Sequence, residues 1–246
     1  AIPENRLRIY DVRRVIDLLA DTDSVLELRP GYGIGMITAL ARIEGRPLGL
    51  LANNPAHLSG AIDAEGAEKA ARFLKLCDAF ELPILSLCDT PGFMVGPEIE
   101  KTAQVRRVSS LFVTGGNVSV PFLCVVLRKG YGLGAQAMAA GSFREPVFIV
   151  SWPTGEFGPM GLEGAVRLGF RRELEALEDP AERQALYEKL VAASYARGKA
   201  IHTAEALDID AVIDPSETRQ WIVGALSGAG ASRGRRRRKR RVVDPW

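Results

Sequence analysis

The sequence predicts an α/β domain with a largely parallel sheet, and two observations lead to this prediction. Apolar strand candidates alternate with amphipathic helix candidates between residues 25 and 150. The candidates at 83–88 and 121–127 are apolar almost throughout, which is typical of parallel strands that are covered on both faces. The composition of the 246 residues, 47% hydrophobic and 25% charged, is that of an ordinary globular chain.

Local patterns place the individual elements. Asp11 can cap a helix at about 12–20, and Asp63 can cap a second helix that runs to about Phe80. Glu44-Gly45 is a turn signal between two extended runs. The predicted strands are 25–28, 35–43, 47–53, 83–88, 121–127, 147–150 and 210–213. The further predicted helices are one at about 97–114, one ending at about 140, and a mostly helical region at 161–226 with an amphipathic stretch at 180–196.

The last residues differ in composition from all that precede them. Residues 1–227 are predicted to form the folded domain, and residues 228–246 a disordered Arg-rich tail. Residues 232–246 hold eight basic residues and one acid, so this segment carries +7 and the rest of the chain −5. The tail could bind nucleic acid or anionic lipid through charge alone, although an incidental or weakly binding tail is favoured. Because no aromatic residues are interleaved with the arginines, recognition of nucleic acid by base stacking is not indicated, and a nucleic-acid partner is not expected.

Cysteine and histidine usage indicates neither a disulfide framework nor a metal centre. Cys77, Cys88 and Cys124 form no C-x-x-C pair and are expected to be buried, reduced thiols. Two histidines, His57 and His202, are too few for a multi-histidine metal site, and we expect no metal. No apolar run could span a bilayer and the first residues lack the order of a signal peptide, so a cytoplasmic protein without membrane contact is expected.

Two loops that leave apolar strands are the candidate ligand-binding segments. In Gly130–Ala135 the glycines permit a sharp turn and a close ligand, and free N–H groups can stabilise an oxyanion without a charged side chain. Asp89–Phe93 leaves the preceding strand, and ligands of open α/β sheets bind beyond the carboxyl ends of strands. The two loops are therefore predicted to wall one crevice, although each alone also fits a simple turn. Tyr131 fits packing and ligand contact equally well, and Glu100 fits an exposed position better than a contact.

No catalytic nucleophile is evident in the sequence. There is no Gly-x-Ser-x-Gly elbow. Neither histidine is placed to pair with Cys88, which is expected to be structural.

Short segments spread over residues 1–227 match one family in order and spacing. They are Ile2–Asn5, Tyr10–Arg13, Glu27–Gly33, Thr38–Pro47, Leu51–Pro55, Asp89–Phe93, Arg128–Gly132, Ser151–Glu156 and Ile213–Arg219. Together they resemble the C-terminal half of the β-type carboxyltransferases of biotin-dependent acyl-CoA carboxylases. The resemblance implies a ClpP/crotonase-like fold, a spiral of ββα units with helices outside.

The resemblance also implies a function and partners. The chain would be the biotin-side half of an enzyme that moves a carboxyl group from carboxybiotin, held on a biotin carboxyl carrier protein, to an acyl-CoA of the acetyl- or propionyl-CoA class. A biotin carboxylase and an N-terminal carboxyltransferase half that binds acyl-CoA would complete the system. The isolated chain would be an incomplete catalyst, and a homo-oligomer is implied because the family forms its site between protomers.

The same resemblance implies which residues form the site. Backbone N–H groups among Gly132, Leu133, Gly134 and Ala135 would hold the negative charge of the biotin ureido oxygen. The family loop usually reads Tyr-Gly-Gly-Ala, so an ungapped alignment gives Leu133 and Gly134 as donors, and a one-residue shift gives Gly134 and Ala135. The residues implied to contact biotin are Tyr131, Asp89, Pro91, Gly92 and Phe93.

Two other functions stay open at this point. One is a biotin-dependent decarboxylase that runs the transfer in reverse, since the sequence does not fix direction. The other is a non-catalytic assembly domain. An enoyl-CoA hydratase is disfavoured because the loops contain no paired glutamates.

Overall fold

The computed structural model describes residues 1–3, 5 and 8–230, and the strands within them form one mixed sheet. These strands are β1 (Leu26–Leu28), β2 (Met36–Ile43), β3 (Arg46–Asn53), β4 (Ile84–Thr90), β5 (Phe122–Tyr131), β6 (Phe148–Ser151), β7 (Glu156–Gly158) and β8 (Ala211–Val212). Their order is β1-β2-β3-β4-β5-β6-β8, and β7 pairs with β5 off this path. The pairs β1–β2 and β2–β3 are antiparallel, and all later pairs are parallel.

Helices connect the strands and cover both faces of the sheet. They are α1 (Val12–Leu19), α2 (Ala64–Ala79), α3 (Pro97–Glu100), α4 (Gln104–Gly115), α5 (Gly132–Met138), α6 (Leu162–Gly169), α7 (Arg171–Glu175), α8 (Pro180–Arg197), α9 (Ala200–Glu205) and α10 (Thr218–Gly230). No helix among those described is both long and apolar enough to cross a membrane.

The core has two apolar layers, one on each face of the sheet. In β4, Leu85 and Leu87 pack into the layer formed with α1 and α10, whereas Ile84 and Cys88 pack into the layer formed with α2, α4 and α5. A strand that buries both faces needs apolar residues at successive positions, which is the pattern seen in the sequence. The predicted α/β architecture with a largely parallel sheet is therefore confirmed.

Local signals account for most element boundaries. The Asp11 and Asp63 carboxylates accept hydrogen bonds from the backbone N–H groups of Arg13 and Gly66, so both predicted helix caps are confirmed. Glu44 and Gly45 both have positive φ, 49° and 72°, as a two-residue hairpin turn requires.

The structure differs from the predictions at a divided helix, an additional strand and the end of the last helix. The helix predicted at 97–114 is divided into α3 and α4 because Ala103 adopts a left-handed conformation with φ of 57°. Strand β7 was not predicted, since three residues are too few for a periodic pattern. Helix α10 continues to Gly230, so residues 228–230 are helical, and the rest of the predicted tail, 231–246, lies outside the described residues.

Candidate functional site

Strand β5 contains a bulge at the point where β4 ends. Cys88 is paired with Val126 and Thr90 with Gly130, so two steps along β4 correspond to four along β5. At the same place the other neighbour of β5 changes from β6 to β7. Bulges bend a strand and redirect the residues that follow them. Here the residues that follow form the glycine loop, Gly130–Ala135.

The Asp89 carboxylate lies in this bulge and is fully buried. Its Oδ2 accepts hydrogen bonds from the Tyr10 hydroxyl at 2.8 Å and from Arg128 Nε at 3.2 Å. Its Oδ1 accepts the backbone N–H of Lys129 at 3.1 Å. The Arg128 guanidinium lies over the Tyr10 ring, 4.9 Å from its centroid. The predicted contact between Asp89 and biotin does not fit this geometry, because the carboxylate faces protein donors inside the fold.

Lys129 links the same bulge to the neighbouring loop that contains Ser59. Its ammonium group donates a hydrogen bond to the Ser59 carbonyl and lies 3.6 Å from Asp89 Oδ1. Burial lowers the pKa of Lys129, and the nearby Asp89 carboxylate opposes this effect. Ser59 and the preceding Leu58 both have positive φ, so this loop adopts a backbone conformation that non-glycine residues seldom hold.

The loop after β4 is held by its own backbone. Gly92 has φ of 122°, its N–H donates to Thr90 Oγ1 at 3.1 Å, and its carbonyl accepts the Ile62 N–H at 2.9 Å. Pro91 and Phe93 are partly exposed, and the Phe93 ring packs on Phe112 with centroids 5.8 Å apart. These two side chains can therefore form a wall, while the polar groups of Gly92 are engaged within the fold.

The two predicted loops lie side by side and touch. A Cβ atom at Gly134 would be 2.6 Å from the Gly92 Cα, and one at Gly132 would be 2.5 Å from the Pro159 carbonyl oxygen. Neither site has room for a side chain, and Gly132 also has φ of 57°. The glycines thus allow the start of α5 to approach two neighbouring backbones.

The first amides of α5 have no side-chain cap. Tyr131 occupies the N-cap position and makes no capping hydrogen bond, and the first N–H groups of a helix have no acceptor within it. Leu133 is 62% exposed, whereas Gly134 and Ala135 are buried. The uncapped amides of this turn can therefore bind an anionic oxygen without a cationic side chain.

Tyr131 is a packing residue in this structure. Its ring is buried, and its hydroxyl donates a hydrogen bond to Glu156 Oε2 in β7 at 2.9 Å. Burial, together with the Glu156 carboxylate, raises the pKa of Tyr131 well above its usual value. Of the two interpretations of Tyr131, the structure supports packing, and a hydroxyl contact with biotin does not fit.

The three cysteines are free and buried, as expected. Burial raises the pKa of the Cys124 thiol to about 12 and that of Cys88 well above its usual value, so neither is an activated nucleophile. Glu100 is exposed, also as expected. Among the described residues, no group of three or more His, Cys, Asp and Glu side chains is arranged to hold a metal ion.

Sequence reasoning gave no role to four residues that shape this region. Tyr10 and Arg128 bind Asp89, Glu156 binds Tyr131, and Asn53 Oδ1 accepts the Asp89 N–H at 3.0 Å. All four lie in segments that carry the family resemblance. A polar residue in or beside an apolar strand indicates that a buried hydrogen bond is needed there. It does not identify the residue that forms the other half of that bond.

Comparison with known proteins agrees with this arrangement. The Carboxyl transferase domain family matches residues 1–243. The methylmalonyl-CoA carboxyltransferase 12S subunit of Propionibacterium freudenreichii subsp. shermanii is 36% identical over 225 residues, which cover 92% of this chain and 42% of that protein. The biotin-dependent acetyl-/propionyl-coenzyme A carboxylase beta6 subunit of Mycobacterium tuberculosis (strain H37Rv) is 37% identical over 238 residues, 95% of this chain and 50% of its own.

Solved structures of carboxyltransferases agree with the sequence relatives and confirm the predicted crotonase-like fold. A single-chain, multi-domain long-chain acyl-CoA carboxylase superposes with a TM-score of 0.84 and 58% identity, over 91% of this chain and 22% of that one. The transcarboxylase 12S structure, a hexamer with methylmalonyl-CoA bound, gives a TM-score of 0.86 and 34% identity, over 97% of this chain and 45% of its own. The chain spans about half the length of the curated relatives it matches, or slightly less. The fold, the paired loops and these matches establish that the chain belongs to the Carboxyl transferase domain family.

Proposed function

We propose that this chain is the biotin-side half of a biotin-dependent carboxyltransferase, which transfers a carboxyl group from carboxybiotin to an acyl-CoA of the acetyl- or propionyl-CoA class. The observation that carries the proposal is the uncapped first turn of α5, placed against the Gly92 loop by Gly132 and Gly134. Relatives named as carboxylase and carboxyltransferase subunits support the same reaction.

Biotin, when presented on its carrier protein, supplies a ureido group that carries the carboxyl and bears negative charge once the carboxyl has left. The chain's contribution is a pair of backbone N–H donors for that charge. Ala135 is the fourth residue of α5, so the Tyr131 carbonyl is the acceptor expected for its N–H. This favours Leu133 and Gly134 as the donors over Gly134 and Ala135. Each such donor typically contributes about 100- to 1,000-fold in rate.

The loop after β4 would form an apolar wall of the proposed biotin site. Pro91 and Phe93 provide partly exposed apolar surface beside the amides, and Gly92 sets the spacing to α5. Asp89 and Tyr131 keep the glycine loop in place from opposite sides, through the β4 edge and the β7 edge of β5.

None of the residues assigned to this site is a free acid or base. Both Asp89 and Tyr131 are engaged in hydrogen bonds within the fold, and Cys88 is a buried thiol. This is consistent with a reaction in which the protein orients the reactants and stabilises charge, while the reactants exchange the proton between themselves.

We assign the acyl-CoA site largely to an N-terminal half, which would correspond to part of the relatives' length that these 246 residues do not span. Exposed apolar side chains surround the two loops: Leu133 itself, Val95 three residues after Gly92, and Met160 next to Pro159. Such a patch is typical of a surface that a partner covers. We assign it to the N-terminal half, within a homo-oligomer that also receives the biotin carboxyl carrier protein loaded by biotin carboxylase.

Carboxyl transfer from carboxybiotin to acetyl-CoA and propionyl-CoA, assayed with and without the N-terminal half, tests the proposal. We expect turnover when both halves are present and little with this chain alone. Absence of transfer with both halves would contradict the function, and rapid turnover by the chain alone would contradict the division of the site. Free biotin should also shift the backbone amide signals of residues 130–136, and unchanged signals would count against the assigned donors.

A further inference from the structure

We infer that Asp89 is a positioning residue, whose buried carboxylate holds the β5 bulge and thereby sets where the amides of the glycine loop lie. This inference rests on the proposed function for the identity of the reaction. It gives Asp89 a role through other residues, because the carboxylate is fully buried and faces only protein groups.

The bulge leaves a backbone N–H group without a strand partner, and Asp89 provides its acceptor. Between Val126 and Gly130, β5 has two residues more than β4 can pair, so the amide of Lys129 has no partner in the β4 ladder. An unpaired amide at a buried site is costly, and Asp89 Oδ1 accepts this N–H at 3.1 Å. The carboxylate therefore replaces the missing strand pairing at the last step before the loop.

The cationic and hydroxyl groups around Asp89 fix the orientation of its carboxylate. Arg128, 4% exposed, donates from Nε to Oδ2, and the Lys129 ammonium lies 3.6 Å from Oδ1. The Tyr10 hydroxyl donates a further hydrogen bond to Oδ2 at 2.8 Å. Two cations and a hydroxyl converge on one carboxylate in a buried site, where such hydrogen bonds are strongest and least tolerant of displacement.

The bulge leads directly to the proposed donors. A Cβ atom at Gly130 would fit tightly, 3.1 Å from the Phe157 ring and 3.2 Å from Val126. Gly134 lies against Gly92, only three residues after Asp89. One carboxylate thus connects the two loops that form the site, because Asp89 begins one and binds the strand that leads into the other. A displacement of about 1 Å at a reacting centre can lower the rate about 100-fold.

Asp21 provides a matched control at the opposite end of the sheet. Its carboxylate also accepts backbone N–H groups, from Glu44 and Gly45, and pairs with Arg219 at 3.0 Å. It closes the β2–β3 hairpin turn, whereas Asp89 lies at the other end of the strands. Asp21→Asn therefore removes a carboxylate with the same kinds of partner, at a partly exposed site away from the loops.

The experiment compares Asp89→Asn, Tyr10→Phe and Asp21→Asn in the enzyme assembled with its N-terminal half, below the melting temperature of each variant. Asp89→Asn keeps the size of the side chain, but its amide group cannot accept from both Arg128 and Lys129. We expect its kcat to fall about 100-fold with the acyl-CoA KM within twofold. Tyr10→Phe removes one donor without leaving a buried charge unpaired, and we expect about a fivefold fall. Asp21→Asn should lower the melting temperature and leave kcat within twofold.

Hydrogen exchange gives a second readout that does not depend on turnover. Exchange of the segment 127–134 should be faster in Asp89→Asn and Tyr10→Phe, with the β2–β3 hairpin unchanged. If Asp89→Asn does not fold, Tyr10→Phe carries both tests alone. The inference is overturned if a folded Asp89→Asn enzyme, or Tyr10→Phe in its absence, keeps wild-type kcat and wild-type exchange in 127–134. Wild-type enzyme that transfers no carboxyl group would instead overturn the proposed function, and the exchange result would still decide whether Asp89 holds the bulge.

Discussion

Replacing Gly134 with alanine tests how closely the two loops must approach. The alanine Cβ would lie 2.6 Å from the Gly92 Cα, whereas ordinary contacts begin at 3.4 Å, so one loop must move by about 0.8 Å. Overpacking by the added methyl group lowers the free energy of unfolding by about 1–3 kcal/mol. The higher helix propensity of alanine offsets at most about 1 kcal/mol of this loss. We therefore expect a stability loss of about 1 kcal/mol, while the displaced amide lowers kcat about 100-fold.

The assay is carboxyl transfer by the assembled enzyme, with thermal unfolding measured on the same samples. Gly224→Ala in α10 is the matched control, since nothing lies within 4 Å of the Cβ it would add. It should raise stability by about 1 kcal/mol and leave kcat unchanged. A Gly134→Ala enzyme with both kcat and melting temperature at wild-type values would refute the argument that this contact positions the amides.

Three further predictions concern stability. Gly60→Ala should destabilise the fold by about 3 kcal/mol, because Gly60 has φ of 88° and a Cβ there would collide with the Asp89 carbonyl oxygen; an unchanged urea midpoint would contradict this. Trp152→Phe should cost about 2 kcal/mol by removing the indole N–H bond to the buried Thr218 hydroxyl at 2.9 Å, and calorimetry showing no loss would contradict it. Because the Cys124 thiol has a pKa of about 12 when folded and near 9 when unfolded, the unfolded chain binds fewer protons between these pH values, and stability falls as pH rises. Cys124→Ala should therefore flatten the pH dependence of unfolding above pH 9 by about 1.4 kcal/mol per unit, and an unaltered slope would argue against a buried neutral thiol.

The sequence allowed the layered fold to be predicted because both of its signals are local. Apolar strands such as 121–127 require cover on both faces, and caps such as Asp11 and Asp63 act within one turn of the helix they begin. The division of the helix at Ala103 was not predictable. An alanine in a left-handed conformation is stabilised by its surroundings, and alanine itself is a residue type that favours a continuous helix.

The candidate site was predictable in position and less so in role. The two loops could be paired because both leave neighbouring parallel strands. The role of Asp89 depended on Tyr10 and on Arg128, which are 79 and 39 residues away in the chain. Whether a polar residue at the end of a strand faces a ligand or a buried partner is decided by such distant residues. The bulge in β5 is equally invisible in the sequence, because it depends on the register of two neighbouring strands.

The most direct test replaces one backbone N–H with an oxygen atom and leaves every side chain unchanged. Substituting glycolic acid for Gly134 in the assembled enzyme converts its amide to an ester, which deletes the donor without adding an atom near Gly92. Lactic acid at Ala137, in the interior of α5, is the control for the loss of a helix amide. If the amides of the glycine loop stabilise charge on biotin, kcat falls about 100- to 1,000-fold at Gly134, the acyl-CoA KM stays within twofold, and the control keeps its kcat. A Gly134 ester with kcat within threefold of the wild-type value would contradict charge stabilisation by this amide.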